Sequence, residues 1–166
     1  MKNQYEYTIN STEDIRKALD NAERNGYDLT HYNSAFYLRG TAGEPISVDD
    51  SLANLHVVAY GPSPVWVSGE GGTTVIAEGS AVVYATGGSV VDAYDSSTVY
   101  AYDHSDVVVQ MNASVYVSSD DVGVGAWGDS KVYLPAEGSP GADPHLRVED
   151  DAKVIRGVTD PAAEEN

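Results

Sequence analysis

Three adjacent residues of this 166-residue chain, His104, Ser105 and Asp106, are of the types that form a base, a nucleophile and an orienting acid. In hydrolases those side chains converge on one line of hydrogen bonds. Neighbouring residues of a strand or a tight corner point in different directions, so we do not expect these three to act together. Ser105 also stands where serine recurs in an internal repeat. We therefore predict that the chain is not an enzyme and assign it no catalytic residue and no cofactor.

Repeated aspartates and glycines raise the question of a calcium site. The calcium-binding nonapeptide repeat has the form GGxGxDxUx, and this chain lacks it. Aspartate recurs at one corner position only, as Asp95 and Asp103. Because Ca²⁺ takes six to eight oxygen ligands, we assign no metal site and expect both carboxylates to bind the backbone of their own turns. A calcium-stabilised repeat stays as a minor alternative. The absence of cysteine excludes disulfides, thiolate catalysis and cysteine zinc sites.

The distribution of charge is the strongest functional signal. Twenty-six acids against nine Lys and Arg give a formal charge of −17, which disfavours direct binding to nucleic acid or an anionic membrane. No Lys or Arg occurs between Arg39 and Lys131, whereas acids recur there. We predict that outward-facing acids of this stretch bind a partner, and these are Glu70, Glu78, Asp92, Asp106, Asp120 and Asp129. The alternative role for this acidity is solubility and protection against rung-to-rung polymerisation.

An eight-residue repeat determines the fold that must position these side chains. Its first residue is always valine, at positions 57, 65, 75, 83, 91, 99, 107, 115, 124 and 132. The third residue is Ala, Val or Leu, and the fifth to eighth are mostly Gly, Asp, Ser or Ala. Such alternation is typical of a short strand followed by a corner. One unit cannot bury its valine alone, so the pattern predicts stacked parallel rungs, a β-solenoid.

The aromatic residues indicate how many repeats make one coil. The second, outward position is aromatic in every other repeat, at Trp66, Tyr84, Tyr100, Tyr116 and Tyr133. Two repeats per coil place these rings in one ladder with neighbours about 4.8 Å apart, whereas three per coil would scatter them. We predict an all-β, two-sided parallel solenoid with about 16 residues per coil. The ladder either stabilises the rungs or, through Tyr84, Tyr100 and Tyr116, contacts a partner.

The two ends of the chain differ from the repeats. Tyr5, Tyr7 and Ile9 alternate as in a strand, and residues 13–24 carry an apolar stripe preceded by Ser11 and followed by Gly26, which predicts a helix. We divide the chain into an N-terminal strand and helix cap (1–45), the octapeptide solenoid (46–156) and a disordered acidic tail (157–166). No signal peptide or membrane span is evident, so the expected compartment is the cytoplasm.

In fold and charge the chain resembles a known inhibitory strategy. Segment 57–134 is similar to the pentapeptide-repeat proteins that imitate duplex DNA and inhibit DNA enzymes, although its period is eight. The acidic, cysteine-free chain also resembles phage-encoded anti-CRISPR and anti-restriction proteins. The resemblance implies a non-enzymatic nucleic-acid mimic that binds a basic nucleic-acid-binding enzyme or a bacterial defence complex. The alternative is a structural or adhesive module of a phage or surface assembly, whose tyrosine ladder contacts glycan or protein. The oligomeric state is not predicted.

Overall fold

The computed structural model describes residues 6–30, 34–41, 43–69, 73–158 and 160–162. Its elements, in chain order, are β1 (Glu6–Ile9), α1 (Thr12–Asn25), β2 (Ala35–Leu38), β3 (Ile46–Val48), a 3-10 turn (Asp50–Leu52), β4 (Val57–Ala59), β5 (Val65–Gly69), β6 (Thr74–Ala77), β7 (Val82–Gly87), β8 (Val90–Ala93), β9 (Thr98–Ala101), β10 (Asp106–Val109), β11 (Ser114–Val117), β12 (Gly123–Ala126), β13 (Lys131–Leu134), β14 (His145–Val148) and β15 (Lys153–Arg156). Tyr5, which the sequence placed in the first strand, lies outside the described residues.

The strands form two parallel sheets that face each other across the core of a solenoid of about six turns. One sheet has eight strands in the order β1-β2-β4-β6-β8-β10-β12-β14. The other has seven, in the order β15-β13-β11-β9-β7-β5-β3, and is called the aromatic sheet below. The predicted fold class, a two-sided parallel solenoid with an N-terminal helix, is confirmed.

The number of residues per turn varies along the solenoid. Val75, Val91 and Val107 are paired in register, so the central turns contain 16 residues as predicted. Val124 pairs with Leu146, and Phe36 pairs with Val57, so the outer turns are longer. The average is about 18 residues per turn. The additional residues lie in the connections, where a longer loop leaves the strand pairing unchanged.

The interior consists of the residues that the repeat placed there. All ten repeat valines are buried, and the small third-position residues are buried beside them. Ala93 on β8 and Ala101 on β9, which belong to opposite sheets, are both 0% exposed. Alanine at these positions keeps the core thin, because a larger side chain would push the two sheets apart.

One corner of each turn repeats the same backbone geometry. The residue two places after each strand from β6 to β14 in the eight-stranded sheet has φ between 58° and 66°, at Gly79, Asp95, Met111, Gly128 and Asp150. Glycine and aspartate tolerate this left-handed conformation better than most residues. The carboxylate of Asp95 accepts a hydrogen bond from the Gly79 N–H at 3.1 Å. On the opposite corner, which follows the strands of the aromatic sheet, Asp103 accepts one from the Gly87 N–H at 3.4 Å. The prediction that these aspartates bind their own turns was wrong, because the preceding rung, about 4.8 Å away, brings a backbone N–H within reach of each carboxylate.

Helix α1 closes the N-terminal end. The Ser11 hydroxyl accepts a hydrogen bond from the Asp14 N–H, and Gly26 ends the helix in the left-handed conformation. Its buried face, which includes Ile15 and Ala18, lies against the edge strands β1 and β3. The region predicted as a cap, 1–45, also supplies β1 and β2 to the eight-stranded sheet. Strand β2 carries no repeat valine, so the octad pattern could not identify it.

The last described residues lie against the side of the solenoid. The Val158 N–H donates to the Leu134 carbonyl at 3.0 Å. Nearer the middle of the solenoid, the Asp160 carboxylate, which is 9% exposed, accepts hydrogen bonds from Tyr102 and Ser118. This part of the chain lies within the tail 157–166, for which the sequence predicted disorder. The described residues of this segment are contacted by side chains 42 and 58 residues away in sequence, which no local pattern reveals, and residues 159 and 163–166 lie outside the described residues.

Candidate partner-binding surfaces

The predicted aromatic ladder is present on the outside of the aromatic sheet. The parallel register aligns Trp66, Tyr84, Tyr100, Tyr116 and Tyr133 in successive strands. Neighbouring ring centroids are 4.3 to 5.2 Å apart and their planes lie within 20° of parallel. Each inner ring therefore has both faces against other rings, so the stack presents ring edges and hydroxyl groups outward. Trp66, at one end of the stack, is 37% exposed.

The outer face of the aromatic sheet is uncharged over most of its length. The strand residues that flank the ring ladder on β5, β7, β9 and β11 are serine, threonine and valine, and Tyr102 follows β9. Lys131 and Lys153 begin the last two strands. No outward strand position of this sheet carries an acid among the described residues. Tyr84, Tyr100 and Tyr116 are thus brought together, but away from the acids predicted to bind with them.

Tyr102 stands beside the ladder at the corner that follows β9. Its hydroxyl donates a hydrogen bond to the Asp160 carboxylate at 2.7 Å, and the Ser118 hydroxyl donates to the same oxygen at 3.1 Å. Burial raises the pKa of Tyr102 well above its usual value, and the hydrogen bond to Asp160 raises it further. Burial also raises the pKa of Tyr116. Neither Tyr102 nor Asp160 was singled out from the sequence.

The predicted acids do not form one rank. Asp92 lies on the outer face of β8, whereas Asp106, the first residue of β10, and Asp120 lie where the chain passes from the aromatic sheet to the eight-stranded sheet. Glu78 and Asp129 lie on the opposite set of connections. Glu70 lies outside the described residues. The repeat places acids at outward positions, but successive octads turn opposite corners of the solenoid.

A different group of acids does cluster. Three successive connections lead from β9 to β10, from β11 to β12 and from β13 to β14, and we call them, with the first residue of the strand that follows each, the acidic edge. It carries six acids and no Lys or Arg, the acids being Asp103, Asp106, Asp120, Asp121, Glu137 and Asp143. Successive rungs are about 4.8 Å apart, so these charges lie within a few rungs of one another. Four of the six were not predicted, because the candidate acids were chosen by their position in the octad and not by the connection on which they lie.

Two carboxylates of the acidic edge, those of Asp103 and Asp120, also accept hydrogen bonds from the backbone. Asp120 accepts hydrogen bonds from the Gly141 and Asp143 N–H groups, both at 3.0 Å. His104 Nε2 lies 3.8 Å from the nearer carboxylate oxygen of Asp121. Arg156 reaches the last connection from β15 and donates a hydrogen bond to the Ala142 carbonyl at 2.8 Å.

The three residues with hydrolase chemistry point apart. The Ser105 side chain is fully buried, and its hydroxyl donates to the Tyr102 carbonyl at 2.9 Å. The His104 side chain is exposed and has Asp121, not Asp106, as its nearest acid. No group of three or more His, Asp or Glu side chains in the described part of the chain is arranged to hold a metal ion.

The outer face of the eight-stranded sheet is apolar around Asp92. The parallel register places Asp92 between Ile76 and Val108. Burial among these neighbours raises the pKa of the Asp92 carboxyl. Beside them a shallow groove of about 330 Å³ runs over Val108 and Gly125, where Trp127 folds across the glycine. An added Cβ at Gly125 would clash with the Trp127 ring, so a larger residue there requires the ring to move.

No protein-family model matches the chain, and no curated protein or solved structure resembles it significantly. In the described part of the chain no helix is both long and apolar enough to cross a membrane.

Proposed function

We propose that the protein is a non-enzymatic binding protein whose acidic edge occupies a basic site on a nucleic-acid-binding protein. It would inhibit that protein by imitating nucleic acid, as anti-CRISPR and anti-restriction proteins do. The observation that carries the proposal is the concentration of six carboxylates on three successive connections that contain no Lys or Arg. A basic groove attracts such an array over long range, because six carboxylates face the partner and Arg156 is the one cation that reaches these connections among the described residues.

The rigid spacing of the solenoid adds a second support. Rungs spaced by about 4.8 Å hold the charges at fixed separations, so little conformational entropy is lost on binding. Asp103 and Asp120 are held by hydrogen bonds to backbone N–H groups, which fixes two of the six carboxylates.

A direct test measures competition with duplex DNA for purified basic partners. The panel contains a restriction endonuclease, a CRISPR effector complex and a type II topoisomerase, each assayed for DNA binding with and without the protein. We expect competitive inhibition of at least one. We expect its affinity to fall at least about tenfold between about 50 mM and 300 mM salt, because exposed charges are screened. Affinity that does not change with salt would contradict the proposal.

Two variants with the same change in net charge test whether inhibition depends on the acidic edge or on the total charge of the protein. The first removes four charges from the acidic edge without touching the two carboxylates that hold the backbone, as Asp106→Asn, Asp121→Asn, Glu137→Gln and Asp143→Asn. The second removes four from the opposite edge, as Glu78→Gln, Asp129→Asn, Asp150→Asn and Asp151→Asn. We expect the first to weaken inhibition at least about tenfold and the second less than about threefold. Equal losses would show that total charge, not the acidic edge, attracts the partner.

The alternative, an adhesive module that touches glycan through the ladder, is less favoured by the ring geometry. Sugars stack on the faces of aromatic rings, and the inner rings of this ladder cover one another. If this alternative holds, Tyr100→Ala with Tyr116→Ala abolishes binding and the acidic-edge variant does not.

A further inference from the structure

The two ends of the solenoid differ in whether their edge strands are covered. At the N-terminal end, α1 lies against β1 and β3, the edge strands of both sheets. The Thr12 hydroxyl accepts a hydrogen bond from the Ser47 N–H of β3 at 2.9 Å, so the helix also satisfies a backbone group of the edge strand. A solenoid end covered in this way cannot pair with another strand.

At the C-terminal end two strand edges are open. Within the described residues, strand β14 pairs only with β12, and β15 pairs only with β13. Val148 and Val154 are 38% and 40% exposed, although the register aligns them with Ala126 and Val132, which are buried. After β15 the chain turns back along the side of the solenoid, as the contacts of Val158 show. None of the described residues covers this end.

The charge of this last turn differs from that of the rest of the protein. Residues 145–156, which we call the terminal turn, contain three Lys and Arg and three acids and are therefore neutral. The turn formed by residues 91–106 contains four acids and no Lys or Arg. Two copies of a chain with a formal charge of −17 repel each other least where they meet through their neutral ends.

The geometry of the open end also favours a second copy of the chain as its binding partner. The end presents one strand edge from each sheet, with the two strands separated by the width of the core. A partner must offer two edges at that same separation to satisfy both. A second copy, turned about a two-fold axis perpendicular to the solenoid axis, offers them automatically, because a two-fold interface is self-complementary.

We propose that the protein forms a two-fold dimer through its terminal turn. Strands β14 and β15 of each copy pair antiparallel with strand edges of the other, so that both sheets continue across the interface. Val148 and Val154 become buried there. This inference does not depend on the proposed function.

The first test is the mass in solution from about 1 µM to 500 µM, a range that populates weak dimers with small interfaces. We expect light scattering to show twice the monomer mass of 17.6 kDa at high concentration. Dimerisation should strengthen as salt is raised, because salt screens the repulsion between two acidic chains. This is opposite to the salt effect expected for the acidic edge, so the two proposals fail separately. A monomer throughout the range overturns the dimer.

A pair of variants locates the interface. Val154→Asp places a charge in the terminal turn and should shift the dimer midpoint at least about tenfold. Met111→Asp is the control, because Met111 is 56% exposed, lies two turns away and shares its φ of 58° with Asp95 in the preceding turn. Equal weakening by both variants, or by neither, overturns the proposal.

Cysteine cross-linking keeps the test valid if Val154→Asp disturbs folding. The chain contains no cysteine, so Val154→Cys and Met111→Cys each introduce a single thiol. Mild oxidation should give a covalent dimer with the first variant and leave the second monomeric. Cross-linking through position 111 alone, or assemblies larger than a dimer, would overturn the proposal.

Discussion

On the aromatic sheet, five successive strands carry a ring at the outward position, whereas on the eight-stranded sheet the same position holds Ile76, Asp92, Val108 and Gly125. The inward positions of the two sheets do not differ in this way, since both are filled by valine and small aliphatic residues. The buried inward residues therefore determine how the chain coils, whereas the outward residues can differ between the two sheets. The outward residues then adjust stability and determine what each face can bind.

The largest effect should come from the interior, where the two sheets are equivalent. Ala93→Phe on the eight-stranded sheet and Ala101→Phe on the aromatic sheet each force a ring into a core with no space for it. We expect each to lower the free energy of unfolding by about 3 kcal/mol, at the upper end of the usual cost of overpacking. Denaturant unfolding measures both. A large loss for one variant only would show that the sheets do not share one thin core.

The second effect separates the two exteriors. Tyr100 lies between Tyr84 and Tyr116, at centroid distances of 4.9 and 5.2 Å, so Tyr100→Ala removes two stacked pairs. We expect a loss of about 2 kcal/mol, because each aromatic pair contributes about 0.5–1.5 kcal/mol. Val108→Ala, at the same outward position of the other sheet, is the control and should cost about half as much. Equal losses in thermal melting would mean that stacking contributes nothing beyond strand propensity.

The third effect concerns the hydrogen bond between Tyr102, which follows strand β9 of the aromatic sheet, and Asp160. Tyr102→Phe removes the 2.7 Å hydrogen bond to Asp160 and should cost about 1 kcal/mol, the usual net contribution of one hydrogen bond, because the Ser118 hydroxyl still donates to the carboxylate. The folded pKa of Tyr102 is raised, so the stabilisation is complete below the unfolded value and is lost as pH rises through the folded one. Hydrogen exchange at the Val158 amide should become faster in the variant at neutral pH. Unchanged exchange would show that Asp160 does not hold this segment.

The smallest effect has the opposite sign and belongs to the eight-stranded sheet. Burial raises the folded pKa of Asp92, so its contribution is favourable while the carboxyl is protonated and is lost as pH rises through that pKa. Asp92→Asn should therefore raise the melting temperature slightly at pH 7, and the gain should vanish near pH 3. Asp106→Asn removes the same charge from an exposed position and serves as the control. The same gain for both would point to net charge instead of burial.

The sequence was sufficient for the parts of the fold that depend on strict alternation. The repeat valines specify an inward face, and a regular ladder of rings requires two octads per turn, so the central turns were predicted correctly. Strand β2 lacks the repeat valine and fell within the region predicted as a cap, whereas the terminal turn lies within the predicted solenoid, 46–156, although it follows a long loop. There, strand pairing with the neighbouring rung, rather than the local pattern, determines the structure.

The candidate surfaces were less predictable for a geometric reason. Asp120 and Asp129 occupy the same position of their octads, yet they lie on opposite edges, because consecutive octads turn opposite corners. Spacing along the chain thus identified outward acids without showing which of them meet. The contact of Asp160 with Tyr102 joins residues 58 positions apart and has no counterpart in the repeat.

The left-handed corner residues have a consequence for how such a protein can change in size. Gly79, Asp95 and Met111 stand 16 residues apart with nearly the same φ, and the strands between them pair in register. Deleting or duplicating any 16-residue stretch of this region joins equivalent positions of two turns, so strands and corners still align from rung to rung. The solenoid can therefore be shortened or extended by whole turns, in steps of about 4.8 Å, while the N-terminal helix and the terminal turn keep their own structure.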